Sequence, residues 1–512
     1  MSGAELPLAI VGIILASPAI ISAIQQLRGV LTQRIKSISS EPGLYESLAS
    51  INQSQTFEVV AFMAQLEPQL SEELRSELRT LLGQLRLIYE ELAAELSKPF
   101  GPSISPRRRE RIKAIFVKIE EWNDRYMKRA IVFLFFGQAS SQLANSSDEV
   151  ERIIRSSKVL EKVQRLRTAV QTAFSSPDPP GRLLLDSTEI PDVRTKLPDS
   201  DLLLGTKGTE TSLVEYRIYP EDTDRSVIQS TRKTTQSIAS LLRKADSETM
   251  GILSCRGFFW DSLQYRVELH FPFPTGGFEN PRSLLELLND SADNPVNGRH
   301  HSLNDRLNLA KRIATGIFYV HSGDFVHKNI RSSNIIIFKP TRDLPAQEKR
   351  YRQYPRVIGQ PFLVGYDGVR KFDAASLLQR VEDWQKNLYL SPARHRLQPG
   401  DEFTSKHDVY SLGVVLLEIA LWRTFTSRRG LGKVLWDGDR LKAPETIRSE
   451  LLNLARRNVP QVMGRAYTET VIACLEELKE EEERGELADE DLVIPAPAYI
   501  TAIMKRLEEI CV

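Results

Sequence analysis

Cysteine is scarce in this sequence. Cys255, Cys474 and Cys511 are the three in 512 residues, an odd number, widely spaced and without a metal-ligand pattern. That usage describes no disulfide framework and fits a reducing, intracellular compartment. An excess of either charge is also missing, since 68 Lys and Arg against 67 Asp and Glu leave a net charge of +1. Nothing in that balance points to nucleic acid as the main partner. Internal repeats are absent. So are basic residues ahead of the first apolar run, where Glu5 is the only charge and Arg28 the first cation, an arrangement unlike a secretory signal. No second run of that kind follows, which excludes a multispanning membrane protein.

What is present suggests two domains, because the chain is too long for one ordinary core. Leu6 to Leu27 carries no charge and is long enough to span a bilayer or to fill the middle of a helical bundle. From about Gly43 to Phe174 the pattern is helical, with Ser146 and Glu149 as a capping box and breaks at Pro68 and at the "KPFGPSISP" stretch. Four or five helices joined by short connections are expected to pack as an antiparallel bundle. Five prolines between Ser175 and Asp201 mark a linker. Beyond it, strand-like runs such as "TSLVEYRIY" and "SLQYRVELHF" give way to helical segments from about Leu303. The expected architecture is α+β overall: an all-α bundle at 1-175, a linker at 176-201, and at 202-512 a strand-rich small lobe followed by a helical large lobe.

The segment "GDFVHKNIRSSNIIIF" resembles the catalytic loop of protein kinases, with His327, Asn329 and Asn334 in the places of the His, Asp and Asn of the H-R-D-x-x-x-x-N pattern. Downstream, "KHDVYSLGVVLLEIALW" resembles the opening of the central helix of the kinase large lobe, where Asp408 would fix the catalytic-loop backbone. The resemblance implies a two-lobed protein-kinase-like fold, and the departures from its pattern touch the chemistry. An amide at Asn329 has no basicity to accept a proton. In "PFLVGYDGVRK", Gly365 stands where a magnesium-holding Asp belongs, and a register two residues on would bring Asp367 there instead. In the small lobe, Arg217 of "LVEYR" takes the place of the phosphate-binding Lys, and "LGTKGTE" around Gly205 and Gly208 is the best candidate for a Gly-rich loop. Between Asp224 and Asp246 no acidic residue can serve as the Lys partner. These substitutions lead to the expectation of a non-enzyme, a pseudokinase with no cofactor and no metal. If a nucleotide binds, Arg217 and Asn334 would contact it.

The opening "MSGAELPLAIVGIILASPAIISAIQQL", followed by helices, resembles the HeLo and HeLo-like domains of filamentous fungi. Joined to a kinase-like domain, it is similar to the mixed-lineage-kinase-domain-like executioners of necroptosis. That resemblance implies a cytoplasmic cell-death or allorecognition effector that moves to the plasma membrane, meets anionic lipids and forms a homo-oligomer on a signal from an upstream protein. Leu6, Ile10, Ile13, Ile14, Ile20 and Ile21 would be its membrane-active residues. From Arg107 to Arg167 there are 15 basic residues against 8 acidic ones, whereas the first 100 residues hold 7 against 11. Arg107, Arg108, Arg109, Arg111 and Lys113 are therefore candidates for phospholipid contact, or else a solvated helix start. A signalling scaffold without enzymatic activity and an atypical protein kinase are the competing readings.

Overall fold

The computed structural model describes residues 72–97, 105–136, 183–218, 225–261, 265–293, 301–340, 357–371, 384–396, 403–485 and 497–510, apart from a few positions within them, and scattered positions between 22 and 63. The chain divides into two compact units, Met1–Arg167 and Thr168–Val512.

In the first unit, helix α1 (Glu72–Ser97) buries Leu78, Leu81, Leu82, Leu85, Tyr89, Leu92 and Leu96, a stripe with helical spacing. Helix α2 (Pro106–Phe136) opens on a proline, which loses nothing at a first helical position. It buries Ile112, Ile115, Phe116, Ile119, Trp122 and Tyr126. Trp122 Nε1 donates to the Leu81 carbonyl at 2.8 Å, and Lys118 Nζ meets Glu91 at 2.8 Å. Arg111 lies 3.7 Å from Glu95. Ascending numbers on one helix thus meet descending numbers on the other, so the pair is antiparallel. The described residues establish this antiparallel pair and not the expected bundle of four or five helices, and the capping box at Ser146 and Glu149 lies outside them.

The second unit begins with an antiparallel sheet of strands β1 (Val193–Lys196), β2 (Leu203–Lys207), β3 (Glu210–Ile218), β4 (Gly257–Asp261) and β5 (Arg266–Pro272), in the order β1-β2-β3-β5-β4. This corrects the reading of 176–201 as a linker: β1 lies inside that stretch, paired with β2 from Val193↔Thr206 to Lys196↔Leu203. Prolines at 191 and 198 bracket the strand instead of preventing it, since each falls where no ladder donor is required. The glycines are also reassigned. Gly205 is inside β2, and Gly208 (φ +56°) turns β2 into β3. Helix α3 (Arg225–Arg243) packs against β4.

The larger lobe follows β6 (Phe278–Ser283) and helix α4 (Leu284–Asp293). Helix α5 (Leu303–Ser322) starts at Ser302, whose hydroxyl accepts from Asp305 N, and runs into β7 (Phe325–Val326). Strands β8 (Ile335–Pro340) and β9 (Gln360–Leu363) complete a three-stranded sheet with β6, while β10 (Arg370–Lys371) pairs with β7. Helix α6 (Ser405–Leu421) is buried along almost its whole length, as its run of Val, Leu, Ile and Ala requires. Helices α7 (Pro444–Leu475) and α8 (Ala498–Glu508) cover it. The approach of α7 is close: a β-carbon on Gly413 would fall 2.7 Å from that of Cys474. A strand-rich lobe leading into a helical one, with strands and helices where the two quoted runs and the 406–422 segment place them, is thus present. Among the described residues no helix is long and apolar enough to cross a membrane. Leu6, Ile10, Ile13, Ile14, Ile20 and Ile21 lie outside those residues.

Candidate active site

The loop after β7 is shaped by one carboxylate. Asp408, fully buried on the first turn of α6, accepts from His327 N at 2.6 Å, from Lys328 N at 2.8 Å and from His321 Nε2 at 2.9 Å. Lys328 takes a left-handed backbone (φ +63°), which a residue with a side chain adopts at a cost of about 1–3 kcal/mol, and the bond from its N–H to Asp408 holds it there. Burial opposes the charge on Asp408, but the hydrogen bonds from the His321 ring and the His327 amide help outweigh it and hold the carboxyl below its ordinary range. Burial brings the His327 imidazole down to about 4, against a smaller upward pull from Asp408. His327 is thus neutral and structural, and its ring lies 5.2 Å from that of Tyr366.

The same loop carries the two amides. Asn334 Nδ2 donates to the Asn329 carbonyl at 2.8 Å, Val364 N donates to the Asn334 carbonyl at 3.0 Å, and Asn329 Nδ2 reaches the Gly365 carbonyl at 3.3 Å. The structure thus brings His327, Asn329, Asn334 and Gly365 together. Asp367 lies outside the described residues. Beneath the loop, buried Glu418 accepts from Ser332 Oγ, from Tyr389 Oη at 2.9 Å and from Phe425 N at 3.1 Å. Burial raises its carboxyl pKa although these donors pull the other way.

Arg217 lies on β3. Glu215, two residues earlier on the same face of β3, accepts from Gly365 N at 3.0 Å, so a buried carboxylate occupies the place assigned to a cation. Arg217 and Glu215 both line a cleft beneath α3, with Thr231, Thr234, Thr235, Tyr366 and Val369. The alternation Leu213, Glu215, Arg217 puts Glu215 and Arg217 on one face, and it is Glu215 that the Gly365 amide meets.

Sequence reasoning also missed the turn between β1 and β2, because it lay within the presumed linker. Pro198 to Asp201 is closed by Leu197 N to the Leu202 carbonyl at 2.9 Å and reaches the catalytic loop. Asp201 Oδ2 accepts from Arg331 Nη2 at 2.6 Å and meets Lys386 Nζ at 3.2 Å. Partial burial opposes the charge on Asp201, yet the two cations keep its carboxyl below its ordinary range. For a phosphate-bearing nucleotide, Arg331 and Lys386 are fitting contacts. Toward a magnesium ion, a β-carbon at 365 would collide with Asn334, so this backbone leaves no room for a side-chain ligand at 365, and the alternative ligand Asp367 lies outside the described residues.

No family model matches the chain. It is 29% identical over 139 residues, 27% of its length, to a Dictyostelium discoideum protein named "Probable serine/threonine-protein kinase". It is 25% identical over 126 residues, 22% of its length, to eukaryotic translation initiation factor 2-alpha kinase 1 of Rattus norvegicus. The matches span 7% and 16% of those relatives. A solved structure of vaccinia related kinase 3 aligns over 62% of this chain and 96% of its own, with 17% identity and a TM-score of 0.34. The chain carries a protein-kinase-like domain. The expectation of a non-enzyme is corrected by these matches, because the curated relatives are themselves named as protein kinases. The exchanges at 329 and 365 remove one base and one ligand, but they do not separate the sequence from kinases.

Among the lipid-contact candidates, Arg107 is exposed and Arg109 half-buried. Arg108 donates to the Glu95 carbonyl, Arg111 pairs with the Glu95 carboxylate and Lys113 Nζ lies 3.2 Å from Glu110.

Proposed function

We propose that the second unit is an atypical protein kinase domain, transferring the terminal phosphoryl group of a nucleoside triphosphate to a protein hydroxyl. The observation that carries this reading is the catalytic loop itself, fixed by Asp408 so that Asn329 and Asn334 stand together beside Gly365. Phosphoryl transfer proceeds through a loose transition state in which positioning and charge neutralisation outweigh proton removal. Asn329 can orient the incoming hydroxyl through an amide oxygen, and Arg331 can neutralise the phosphoryl oxygens. The new O–P bond forms as the bond to the diphosphate breaks, and the hydroxyl proton passes to solvent. The test is transfer of labelled terminal phosphate by the purified full chain and by its Asp201→Asn variant. Transfer lost on Asn329→Ala and on Asn334→Ala is expected, and no transfer by either parent or Asp201→Asn rejects the reading.

A second reading, a membrane-directed death effector, is supported by the start of α2. Cations there oppose the helix dipole, and no acidic residue occupies the first turn. Glu95 compensates Arg108 and Arg111, while Arg107 is left at the surface. In this reading the basic turn meets anionic lipid at the plasma membrane after homo-oligomerisation triggered by an upstream partner. Vesicles of phosphatidylserine and phosphatidylcholine should bind the full chain, and Arg107→Glu with Lys113→Glu should weaken that binding. Equal binding to purely neutral vesicles rejects it.

A further inference from the structure

The turn between β1 and β2 is tied down at every residue. Ser283 Oγ donates to the Pro198 carbonyl at 3.2 Å, Asn289 Nδ2 to Asp199 at 2.8 Å, and Ser200 Oγ to the Ser333 carbonyl at 3.0 Å. Asp201 takes Arg331 and Lys386. Asp199 has a positive φ of +48°, a strained backbone that these contacts must hold.

The central ion pair is asymmetric. The Arg331 side chain is 7% exposed, while that of Asp201 is 55% exposed. The cation belongs to the interior, and the anion arrives from a surface turn. Asp201 also satisfies the guanidinium incompletely: its bond is to Nη2, and the buried Nε of Arg331 has no hydrogen-bond partner among the described residues. A buried donor without an acceptor is costly, and a guanidinium is best served by a bidentate acceptor. A phosphate group, with three oxygens and more charge than a carboxylate, can engage Nε and Nη2 together and still meet Lys386.

We infer that Arg331 and Lys386 form a phosphate-binding site that Asp201 fills as a built-in competitor, so that a phosphate-bearing ligand enters only when the β1–β2 turn lifts off the catalytic loop. The assignment of that ligand as a nucleoside triphosphate rests on the kinase reading. The site itself rests on the geometry of Arg331.

Inorganic tripolyphosphate is the probe, titrated calorimetrically into the full chain at low salt. Asp201→Asn should bind it roughly tenfold more tightly than the parent, because an intramolecular anion has been removed. Adding Arg331→Gln to Asp201→Asn should abolish the gain, and adding the half-exposed Lys386→Gln should reduce it without disturbing the buried loop. Hydrogen exchange at the amides of 199–203 should quicken in the parent when tripolyphosphate is added. Asp201→Asn binding no more tightly than the parent, or Asp201→Asn/Lys386→Gln and Asp201→Asn/Arg331→Gln both binding as tightly as Asp201→Asn, would overturn the inference. Tight tripolyphosphate binding without phosphoryl transfer from ATP would reject the kinase reading alone.

Discussion

A β-carbon at position 365 would lie 2.3 Å from Nδ2 of Asn334. Gly365 also has φ +93°, a backbone that residues with side chains avoid. Contact and strain act together, so Gly365→Ala should destabilise the fold by about 2–4 kcal/mol. Gly208, with φ +56° and nothing within 4 Å of its β-position, isolates the strain alone. By native-state hydrogen exchange of amides in the second unit, Gly208→Ala should lose less protection than Gly365→Ala does. Equal losses would show that the Asn334 contact is without consequence.

Asp408 carries the geometry of the catalytic loop. In Asp408→Asn one oxygen must serve the amides of His327 and Lys328, and the new NH2 group faces donors. The variant should lose roughly 3–5 kcal/mol, as expected when a buried charged acceptor is removed from its donors, visible as a lower midpoint in urea unfolding. Hydrogen exchange should rise first at residues 327 and 328. An unchanged midpoint would place the restraint on the loop elsewhere.

Stability should rise with pH between about 4 and the ordinary histidine range, and His327 sets the sign. Burial holds its folded pKa near 4, below the unfolded value, so across that window the unfolded chain binds a proton that the folded chain does not. Its contribution is complete above the unfolded pKa and is lost as pH falls towards 4. Burial lowers His395 and His407 in the same direction. His327→Phe, which keeps a ring against Tyr366, should flatten the unfolding midpoint's dependence on pH over this window. A slope as steep as the parent's would remove His327 from the titration.

Most of the catalytic loop could be read from the sequence, because it is local: His327, Asn329 and Asn334 lie within eight positions, and fixed spacing along one turn nearly dictates their grouping. Strands at 210–218 and 266–272 were legible for a similar reason, an uninterrupted β-forming run. The small-lobe site was not. Glu215 and Arg217 differ by one strand period, which leaves their face unchanged and gives no sign of which meets Gly365. The β1–β2 turn was hidden by composition, since proline-rich stretches read as linkers whether or not a strand lies among them. Asp201 and Arg331 are 130 residues apart, and no local pattern announces such a pair.

In the first unit the two helices are joined by an indole. Trp122 is almost wholly buried, stacks on Tyr126 with ring centroids 4.8 Å apart, and donates to the Leu81 carbonyl on the facing helix. Trp122→Phe keeps an aromatic ring and loses the donor, so it should cost about 1 kcal/mol, the net worth of one neutral hydrogen bond, plus a smaller packing term. Trp122→Ala removes the ring and should cost about 3–5 kcal/mol. Because the chain has two units, a global melt would mix their transitions. Native-state hydrogen exchange of amides in 78–96 and 112–126 resolves the first unit in the full chain. Protection should fall modestly for Trp122→Phe and steeply for Trp122→Ala. If the two variants lose equal protection, the hydrogen bond to Leu81 and not the packed ring joins the helices; if neither changes, the contact contributes nothing to holding them together.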